Sequence, residues 1–364
     1  MLRWRKSLLL GPEGVPPSQD DLRVVGVFNP GAVLRDGRLL LLARVAETPR
    51  EARPGHVGLP RYDNAAQRVV VDWLPESEVR RIDVRMIRHE CTACVRPTTI
   101  SHLRWIDCGA GDAVAAIGPP AVVPSGPLDE YGVEDPRLTV IAGRIHATFV
   151  AVSRHGIATS LAVETVPPAP AGWPELDRGD LILPPDNKDA VLFPDSELPG
   201  AGHVGFCVIH RPESVLGPPE MWTAVSPDLA SWGGHRPLHL GTEAWERERV
   251  GAGPPPFRCG DRWALVYHGR AAAGAGRVGR YSAGLLALAC DPEPRVIGRL
   301  TTPILEPTEP FEREGFVPEV VFPTGVVELG DDLMLAYGAA DTRCALAATP
   351  VKNFTETLTR LSHQ

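Results

Sequence analysis

The chain has 364 residues and a formal net charge of -8, which is too acidic for a protein that binds nucleic acid by neutralising phosphates. Its composition, 43% hydrophobic and 23% charged, is that of an ordinary soluble globular protein, and the length allows two domains or one large all-β domain. Glycine and proline, 36 and 38 residues, are spread along the chain and favour many short strands joined by tight turns.

The N-terminal segment MLRWRKSLLLGPEG has only three consecutive leucines, too few for a signal sequence or a membrane span. We therefore expect a cytoplasmic location and no association with membranes. Seven cysteines in a reducing compartment are expected to remain thiols. The cluster HECTAC, His89 to Cys94, has no second ligand pair at metal spacing, so no metal site is predicted.

Five segments share one pattern, in which a polar start leads into a β-rich run, a glycine-containing turn and a second β-rich run. They begin at Asn29, Glu134, Lys188, Gly251 and Pro318, and their turns include RDGR, IAGR, CGDR and LGDD. The last four start about 54 to 67 residues apart, and further strand-like runs follow several of them, as in propeller blades. No long stretch shows the apolar period of an amphipathic helix.

The pattern therefore predicts an all-β fold in which residues 1–364 form a single five-bladed β-propeller catalytic domain. The first two segments start about 105 residues apart, much further than the others. We attribute the additional residues to an insertion in the first blade, at about residues 49–81.

Polar residues at the strand ends are expected to converge, because the innermost strands of a propeller run along its central axis. The result would be one pocket lined by carboxylates, cations and histidines. The strand starts would contribute Asn29, Glu134, Asp135, Lys188, Asp189 and Glu319, and the returning strands Arg44, His210, Arg211, His268, Arg270 and Asp341.

Carboxylates with basic neighbours suit the cleavage of a glycosidic bond, in which one carboxylic acid protonates the departing oxygen. A second carboxylate, roughly 6.5 to 9.5 Å away, would activate water as the attacking group. A cluster of Arg, Lys and His could instead hold a phosphate ion as the nucleophile. The basic residues in or beside the predicted pocket are numerous: Arg44, Arg96, Lys188, His210, Arg211 and His268.

Seven segments, spread from about Asn29 to Ala347, resemble the signature segments of glycoside hydrolase family 130 in their order. Among them are YGVEDPRLTVI, NKDAVLFP, VIHRP, GAGPPPFRCGDRWALVYHG and EGFVPEVVFPTG followed by YGAADT. The resemblance implies a five-bladed propeller and an inverting enzyme that acts on β-mannosides. Most members use phosphate and form α-mannose 1-phosphate, and a smaller group of β-1,2-mannosidases uses water.

The same resemblance implies individual roles. Asp135 in GVEDPR corresponds to the general acid, whose proton passes through a hydroxyl of the bound mannose in the phosphorylases. The phosphate site is matched to Arg96, Lys188, His210 and Arg211, and the subsite for the cleaved mannose to Asn29, Arg44 and Asp341. Their positions in the predicted strands, and not the resemblance, assign Glu134, Arg137 and His268 to the substrate-binding pocket, where Glu134 and Arg137 are expected to hold Asp135 and the strand end in place.

Glu319 departs from the family pattern, because the segment VPEVVFP has glutamate where phosphorylases commonly have asparagine. A carboxylate facing the phosphate would repel the dianion and could act as a base for water.

The favoured hypothesis is an inverting β-mannoside phosphorylase in which Asp135 supplies the proton and the basic residues hold phosphate. The first alternative is an inverting β-mannosidase that uses water with Glu319, or else Glu243 or Glu246, as the base. The second is a non-catalytic sugar-binding propeller. No metal or organic cofactor is required, since inorganic phosphate is a co-substrate. The expected partners are a β-mannoside oligosaccharide and phosphate, with no nucleic acid, and a homo-oligomer is left open.

Overall fold

The computed structural model describes residues 2–111, 113–165, 172–194, 205–260, 262–274, 276–290 and 293–361. In this part of the chain the protein is almost entirely β, with 26 strands, two 3-10 helices and two α-helices. None of the helices found there is both long enough and apolar enough to span a bilayer. The predicted all-β class is confirmed.

The strands are numbered in chain order. Strands β1 to β13 are, in turn, Arg5–Leu10, Leu22–Arg35, Arg38–Pro49, His56–Asp63, Arg68–Pro75, Val79–Arg81, Met86–His89, Val95–Pro97, Ile100–Asp107, Ala116–Val122, Gly132–Ile141, Arg144–Ser153 and Gly156–Glu164. Strands β14 to β26 are Leu176–Leu183, Asn187–Leu192, Phe206–Pro212, Met221–Ser226, Gly233–His239, Arg249–Ala252, Phe257–Cys259, Arg262–Arg270, Tyr281–Cys290, Pro294–Arg299, Val321–Leu329, Asp332–Ala339 and Arg343–Pro350. The 3-10 helices are Pro12–Gly14 and Glu76–Glu78, and the α-helices are α1, Pro310–Arg313, and α2, Val351–Leu361.

Five antiparallel sheets account for most of these strands. Sheet I is β2–β3–β9–β10, sheet II is β11–β12–β13–β14 and sheet III is β15–β16–β17–β18. Sheet IV is β19–β21–β22–β23, with β20 also paired to β21, and sheet V is β24–β25–β26–β1. The first hairpins of sheets I and II have two-residue turns of positive φ, Asp36 (53°) with Gly37 (74°) and Ala142 (51°) with Gly143 (77°), which match the twist of the flanking strands.

The five largest hydrophobic clusters among the described residues each lie between two sheets. One cluster joins sheets I and II and another joins II and III. Two more join III to IV and IV to V, and a fifth joins V back to I. Successive residues of a strand face opposite sides of the sheet, so a continuous apolar run such as residues 39–43 of β3 contributes to a cluster on each face, and each sheet packs on two others.

Sheet I is interrupted by a segment that we call the excursion, residues 50–99. It leaves the sheet after β3 and returns at β9, which pairs with β3. The excursion forms the hairpin β4–β5 and the small sheet β6–β7–β8. It therefore places additional side chains beside sheet I without changing the pairing of that sheet.

The first strands of sheets I, II and III share one irregularity. Asn29, Asp135 and Asp189 have φ of 50°, 51° and 55°, and the register of their strands shifts at each of these points. Asn and Asp tolerate this left-handed conformation better than most residues. A β-bulge changes the direction of the side chain that it contains. The same backbone feature therefore orients a polar side chain at three equivalent positions.

The C-terminal helix α2 was not predicted from the sequence. Its apolar residues Phe354, Leu358 and Leu361 are buried, with the spacing of one helical face. The segment is only 11 residues long and contains several threonines, which have low helix propensity, so packing against the sheets and not local preference stabilises it.

The N-terminal strand β1 completes sheet V by pairing with β26, near the other end of the chain. Lys6 on β1 lies 2.8 Å from the fully buried carboxylate of Glu312 on α1. The hydroxyl of Tyr337 on β25 donates a 2.8 Å hydrogen bond to the other oxygen of this carboxylate. The buried carboxylate of Glu312 therefore links β1 to α1 and to β25.

Candidate active site

A cavity of about 210 Å³ is lined by residues of all five sheets and of the excursion. The bulged residues Asn29, Asp135 and Asp189 all contribute to it. Nine of the residues predicted from the sequence belong to its lining: Asn29, Arg44, Glu134, Asp135, Lys188, Asp189, Arg211, His268 and Asp341. The fold thus brings together residues that are up to 312 positions apart in the chain (341 minus 29).

Asp135 is buried and is held by two neighbours. Asn29 Nδ2 donates a 2.8 Å hydrogen bond to Oδ1 of Asp135, and Arg44 Nη1 lies 3.2 Å from the same oxygen. Arg44 is itself fixed, because Nη2 binds Glu134 at 2.6 Å and Nε donates to Ser101 Oγ at 2.9 Å. Because Asn29 and Arg44 both bind Oδ1, the second oxygen of Asp135 is left available to a ligand in the cavity.

The pKa of Asp135 lies below its ordinary value. Burial raises this pKa, but the charges of Arg44, Lys188 and Arg137 and the hydrogen bond from Asn29 lower it by more. Arg137 does not line the cavity. Its Nε donates a 2.7 Å hydrogen bond to the carbonyl of Gly253, so this side chain links β11 to the segment that follows β19.

Three cations, Lys188 on β15, Arg211 on β16 and Arg249 on β19, line the same cavity. Arg211 is completely buried and pairs with Asp189 at 2.9 Å and with Glu213 at 3.1 Å. Arg249 lies 3.8 Å from Glu213, and its Nε makes no hydrogen bond to the described residues. Lys188 forms no ion pair with any residue in the described ranges. The cluster therefore has positive charge that remains available for an anion.

His268 lies beside this cluster as a neutral side chain. Burial lowers its pKa to about 4, although Asp189, 3.4 Å away, favours the charged form. The ring packs against Phe322 with centroids 4.2 Å apart. His268 can thus donate or accept a hydrogen bond in the cavity without adding charge.

Asp341 has the opposite electrostatic character to Asp135. Burial raises its pKa to about 6, and the charges of Arg85 and Arg44 offset this only in part. The cavity therefore contains one carboxyl group whose pKa is depressed and one whose pKa is raised.

Arg96 and His210, predicted to hold phosphate, lie outside the cavity lining. Arg96 Nη1 pairs with Asp72 of the excursion at 2.7 Å, and its guanidinium lies over the ring of Tyr131. His210 Nε2 lies 3.1 Å from Nδ1 of His235, and burial lowers the pKa of His210 to about 4. Arg96 Nη2 also donates to the carbonyl of Leu59, and His210 Nδ1 contacts the side-chain amide of Asn187, whereas Arg96 Nε has no hydrogen-bond partner among the described residues.

The predicted bases for water also lie elsewhere. Glu319 is 44% exposed and lies 3.8 Å from Arg280 and from Arg313. Glu246 is fully buried, where the Tyr267 hydroxyl donates to it at 2.5 Å. Glu243 pairs with Arg299 at 2.8 Å. None of these three carboxylates lines the cavity.

Two cavity arginines were missed in the sequence. Arg249 belongs to the charged run ERERV, which resembles a solvated loop, and the hairpin prediction began two residues later. Arg85 lies on the excursion, which has no counterpart in the other sheets. The described residues also contain no group of three or more His, Cys, Asp or Glu arranged to hold a metal ion.

A buried carboxyl group held by an amide and an arginine, with cations across the same polar cavity, has the components of an enzyme that cleaves glycosidic bonds by acid catalysis. The chain belongs to glycoside hydrolase family 130: the family model described as beta-1,4-mannooligosaccharide phosphorylase matches residues 115–360. The resemblance seen in the sequence motifs is therefore confirmed.

Individual relatives cover most of the chain. A beta-1,2-mannobiose phosphorylase of Listeria innocua is 33% identical over 350 residues, which is 94% of each chain. A 1,2-beta-oligomannan phosphorylase of Thermoanaerobacter sp. is 35% identical over 230 residues, 61% of this chain and 69% of that protein. The solved structure of a Listeria innocua beta-1,2-mannobiose phosphorylase, in complex with beta-1,2-mannobiose, matches with a TM-score of 0.85 and 30% identity, over 96% of this chain and 97% of that one.

Proposed function

We propose that the protein is an inverting glycoside phosphorylase that cleaves β-mannosides with inorganic phosphate and forms α-mannose 1-phosphate. The observation that carries the proposal is the cluster of Lys188, Arg211 and Arg249, which faces the same cavity as Asp135. Lys188 has no partner among the described residues, which suits a site that receives a phosphate dianion. The relatives named above are all phosphorylases.

In the proposed reaction a phosphate oxygen attacks the anomeric carbon from the face opposite the departing sugar. The C–O bond to that sugar breaks as the new bond to phosphate forms, and Asp135 supplies the proton for the departing oxygen. Arg44 and Asn29 orient the carboxyl group. Phosphate bound at Lys188 would offset one of the charges that lower the pKa of Asp135, so phosphate binding favours the protonated acid.

We further propose that the substrate contains a β-1,2-mannosidic bond. The support is the similarity to proteins named for beta-1,2-mannobiose and 1,2-beta-oligomannan, one of which matches over nearly the whole chain. A beta-1,4-mannooligosaccharide phosphorylase of Ruminococcus albus is 33% identical over only 46% of this chain. The β-1,4 linkage is therefore the competing substrate class in the experiment below.

For the architecture, we propose that sheets I to V are the blades of one five-bladed propeller spanning residues 1–364, with the excursion as an insertion in the first blade. The hydrophobic clusters support this proposal, because they link the sheets in sequence and join sheet V to sheet I. The cytoplasmic location and any oligomeric state stay predictions.

The function is tested by incubating the protein with β-1,2- and β-1,4-mannobiose, each with and without phosphate. Formation of α-mannose 1-phosphate, followed by phosphorus NMR, should require phosphate and be faster with the β-1,2 substrate. Mannose release at the same rate without phosphate would instead indicate a mannosidase. Binding of the sugar without turnover in either condition would indicate a sugar-binding protein.

A further inference from the structure

The turn between β6 and β7 carries Arg85 from the excursion into the wall of the cavity. Asp83 fixes this turn, because its Oδ1 accepts hydrogen bonds from the backbone N–H groups of Arg85, at 2.8 Å, and Met86, at 3.1 Å. The other oxygen of Asp83 accepts a 2.9 Å bond from Arg85 Nη2. The carboxylate of Asp83 therefore fixes both the backbone conformation at Arg85 and the orientation of its guanidinium.

Only some nitrogen atoms of the Arg85 guanidinium form hydrogen bonds to the described residues. Its Nε is buried without a hydrogen-bond partner among the described residues, and 36% of the side chain is exposed. Among the described residues, Asp83 is the only carboxylate with which Arg85 forms an ion pair. Nη1 makes no hydrogen bond to the described residues and is the nitrogen of Arg85 that remains available to a ligand in the cavity.

Asp341 lines the same cavity and is the second carboxyl group near Arg85. Of the neighbouring charges, that of Arg85 lowers the pKa of Asp341 most. The two side chains form no direct ion pair, so each keeps polar atoms for a ligand. A planar donor group beside a carboxyl acceptor matches neighbouring hydroxyl groups, which each donate and accept.

The position of Arg85 suits a sugar better than phosphate. Arg85 is a single cation that pairs with Asp83 and acts on Asp341, whereas Lys188 forms no ion pair with the described residues and lines the cavity together with Arg211 and Arg249, whose charges add to the attraction for a dianion. Arg85 also lies on the excursion, whereas the three cations of the proposed phosphate site lie on β15, β16 and β19 of sheets III and IV.

We propose that Arg85 is a specificity-determining residue that donates hydrogen bonds to hydroxyls of the bound mannoside, and that Asp83 is its positioning residue. The inference rests on the proposed function and adds to it a sugar contact supplied by the excursion. Substrate selectivity would then depend on a segment outside the five sheets.

The test compares Arg85→Met, Arg85→Lys and Asp83→Asn with the matched control Arg88→Met, since Arg88 is an exposed arginine of the neighbouring strand β7. Steady-state kinetics are measured with β-1,2-mannobiose and phosphate varied separately. Arg85→Met should raise KM for the mannoside about tenfold or more, the scale of a lost charge-assisted hydrogen bond, and leave KM for phosphate within about twofold. Arg85→Lys and Asp83→Asn should give smaller changes in the same direction.

A rise in KM for phosphate alone, or kinetics equal to the Arg88→Met control, would overturn the inference. Sugar binding is also measured without turnover, as the increase in Tm on adding β-1,2-mannobiose, which should shrink in Arg85→Met. The proposed function fails while the inference stands if the unmodified protein is stabilised by the sugar but makes no mannose 1-phosphate, and if Arg85→Met is no longer stabilised by the sugar. If it makes mannose 1-phosphate and Arg85→Met changes neither readout, only the inference fails.

Discussion

Asn29 and Asp135, 106 residues apart in the chain, are joined by a hydrogen bond of 2.8 Å between Nδ2 and Oδ1, and both have the left-handed backbone conformation. The two first strands that carry them belong to sheets I and II. The bond is one of the interactions that lower the pKa of Asp135, so it links the shape of the fold to the protonation of the proposed acid.

Replacing Asn29 by alanine should raise the pKa of Asp135, because a hydrogen bond to the ionised form is lost. We expect the descending limb of the kcat profile against pH to move up by about one unit, the scale of one hydrogen bond to a charged group. The exposed Asn353→Ala on α2 is the control. An unchanged profile in Asn29→Ala would show that this bond does not tune the acid.

Asp135→Asn should reduce phosphorolysis by about 10² to 10⁴-fold while the protein stays folded, because the amide has no proton of suitable acidity to donate. Asp36→Asn is a close control, since Asp36 has nearly the same backbone angle, φ 53° against 51°, in an exposed turn. Full activity in Asp135→Asn would contradict the assignment of the acid and favour a non-catalytic role for the pocket.

Lys188→Met should raise KM for phosphate about tenfold or more, because it removes the cavity cation that has no partner among the described residues. Arg249→Met should act in the same direction. Arg96→Met should leave KM for phosphate nearly unchanged, since Arg96 pairs with Asp72 outside the cavity. The exposed Lys352→Met is the control for the lost charge. A large effect at Arg96 and none at Lys188 would instead support the phosphate site predicted from the sequence motifs.

Glu319→Gln should keep phosphorolysis within about threefold, because this side chain is 44% exposed and its ion pairs at 3.8 Å are screened by solvent. Glu134→Gln provides the comparison, since Glu134 holds Arg44 in the cavity and its loss should reduce activity. Mannose release that needs no phosphate and vanishes in Glu319→Gln would identify Glu319 as the base of a hydrolase.

Asp341→Asn should increase the free energy of unfolding at pH 7.5 by about 2 kcal/mol and reduce activity. The folded-state pKa of Asp341 is raised to about 6 from 3.8, so the folded protein keeps a proton that the unfolded chain loses as pH rises through this window. Stability therefore falls between about pH 4 and pH 6 in the unmodified protein. Denaturant unfolding at pH 4.5 and 7.5 should show the gain mainly at pH 7.5, and an equal gain at both would contradict this explanation.

The hairpins and the main cavity residues could be predicted because their signals are local. Turns such as Asp36–Gly37 specify a hairpin by backbone conformation alone, and Asp135 and Lys188 begin strands in distinctive motifs. Asp135 and Lys188 both line the cavity, as expected, while their chemical roles stay predictions.

The side chains that lie elsewhere depend on strand direction, which local sequence does not specify. His210 and Arg211 are neighbours on β16, and successive residues of a strand face opposite sides, so only Arg211 lines the cavity. On β8 the same alternation places Pro97 in the lining and turns Arg96 away. Arg85 could not be predicted, because the path of the excursion is set by tertiary packing.

The pairing of β1 with β26 also has a consequence for biosynthesis. Residues 5–10 leave the ribosome long before their partners at 344–348, so sheet V stays incomplete until those partners have been synthesised. Before then β1 would be an unpaired strand that exposes three leucines, Leu8, Leu9 and Leu10, and β26 would lack its edge partner as it is synthesised. A fusion or deletion at the N-terminus should thus impair yield and promote aggregation more than an equal change in an exposed hairpin turn.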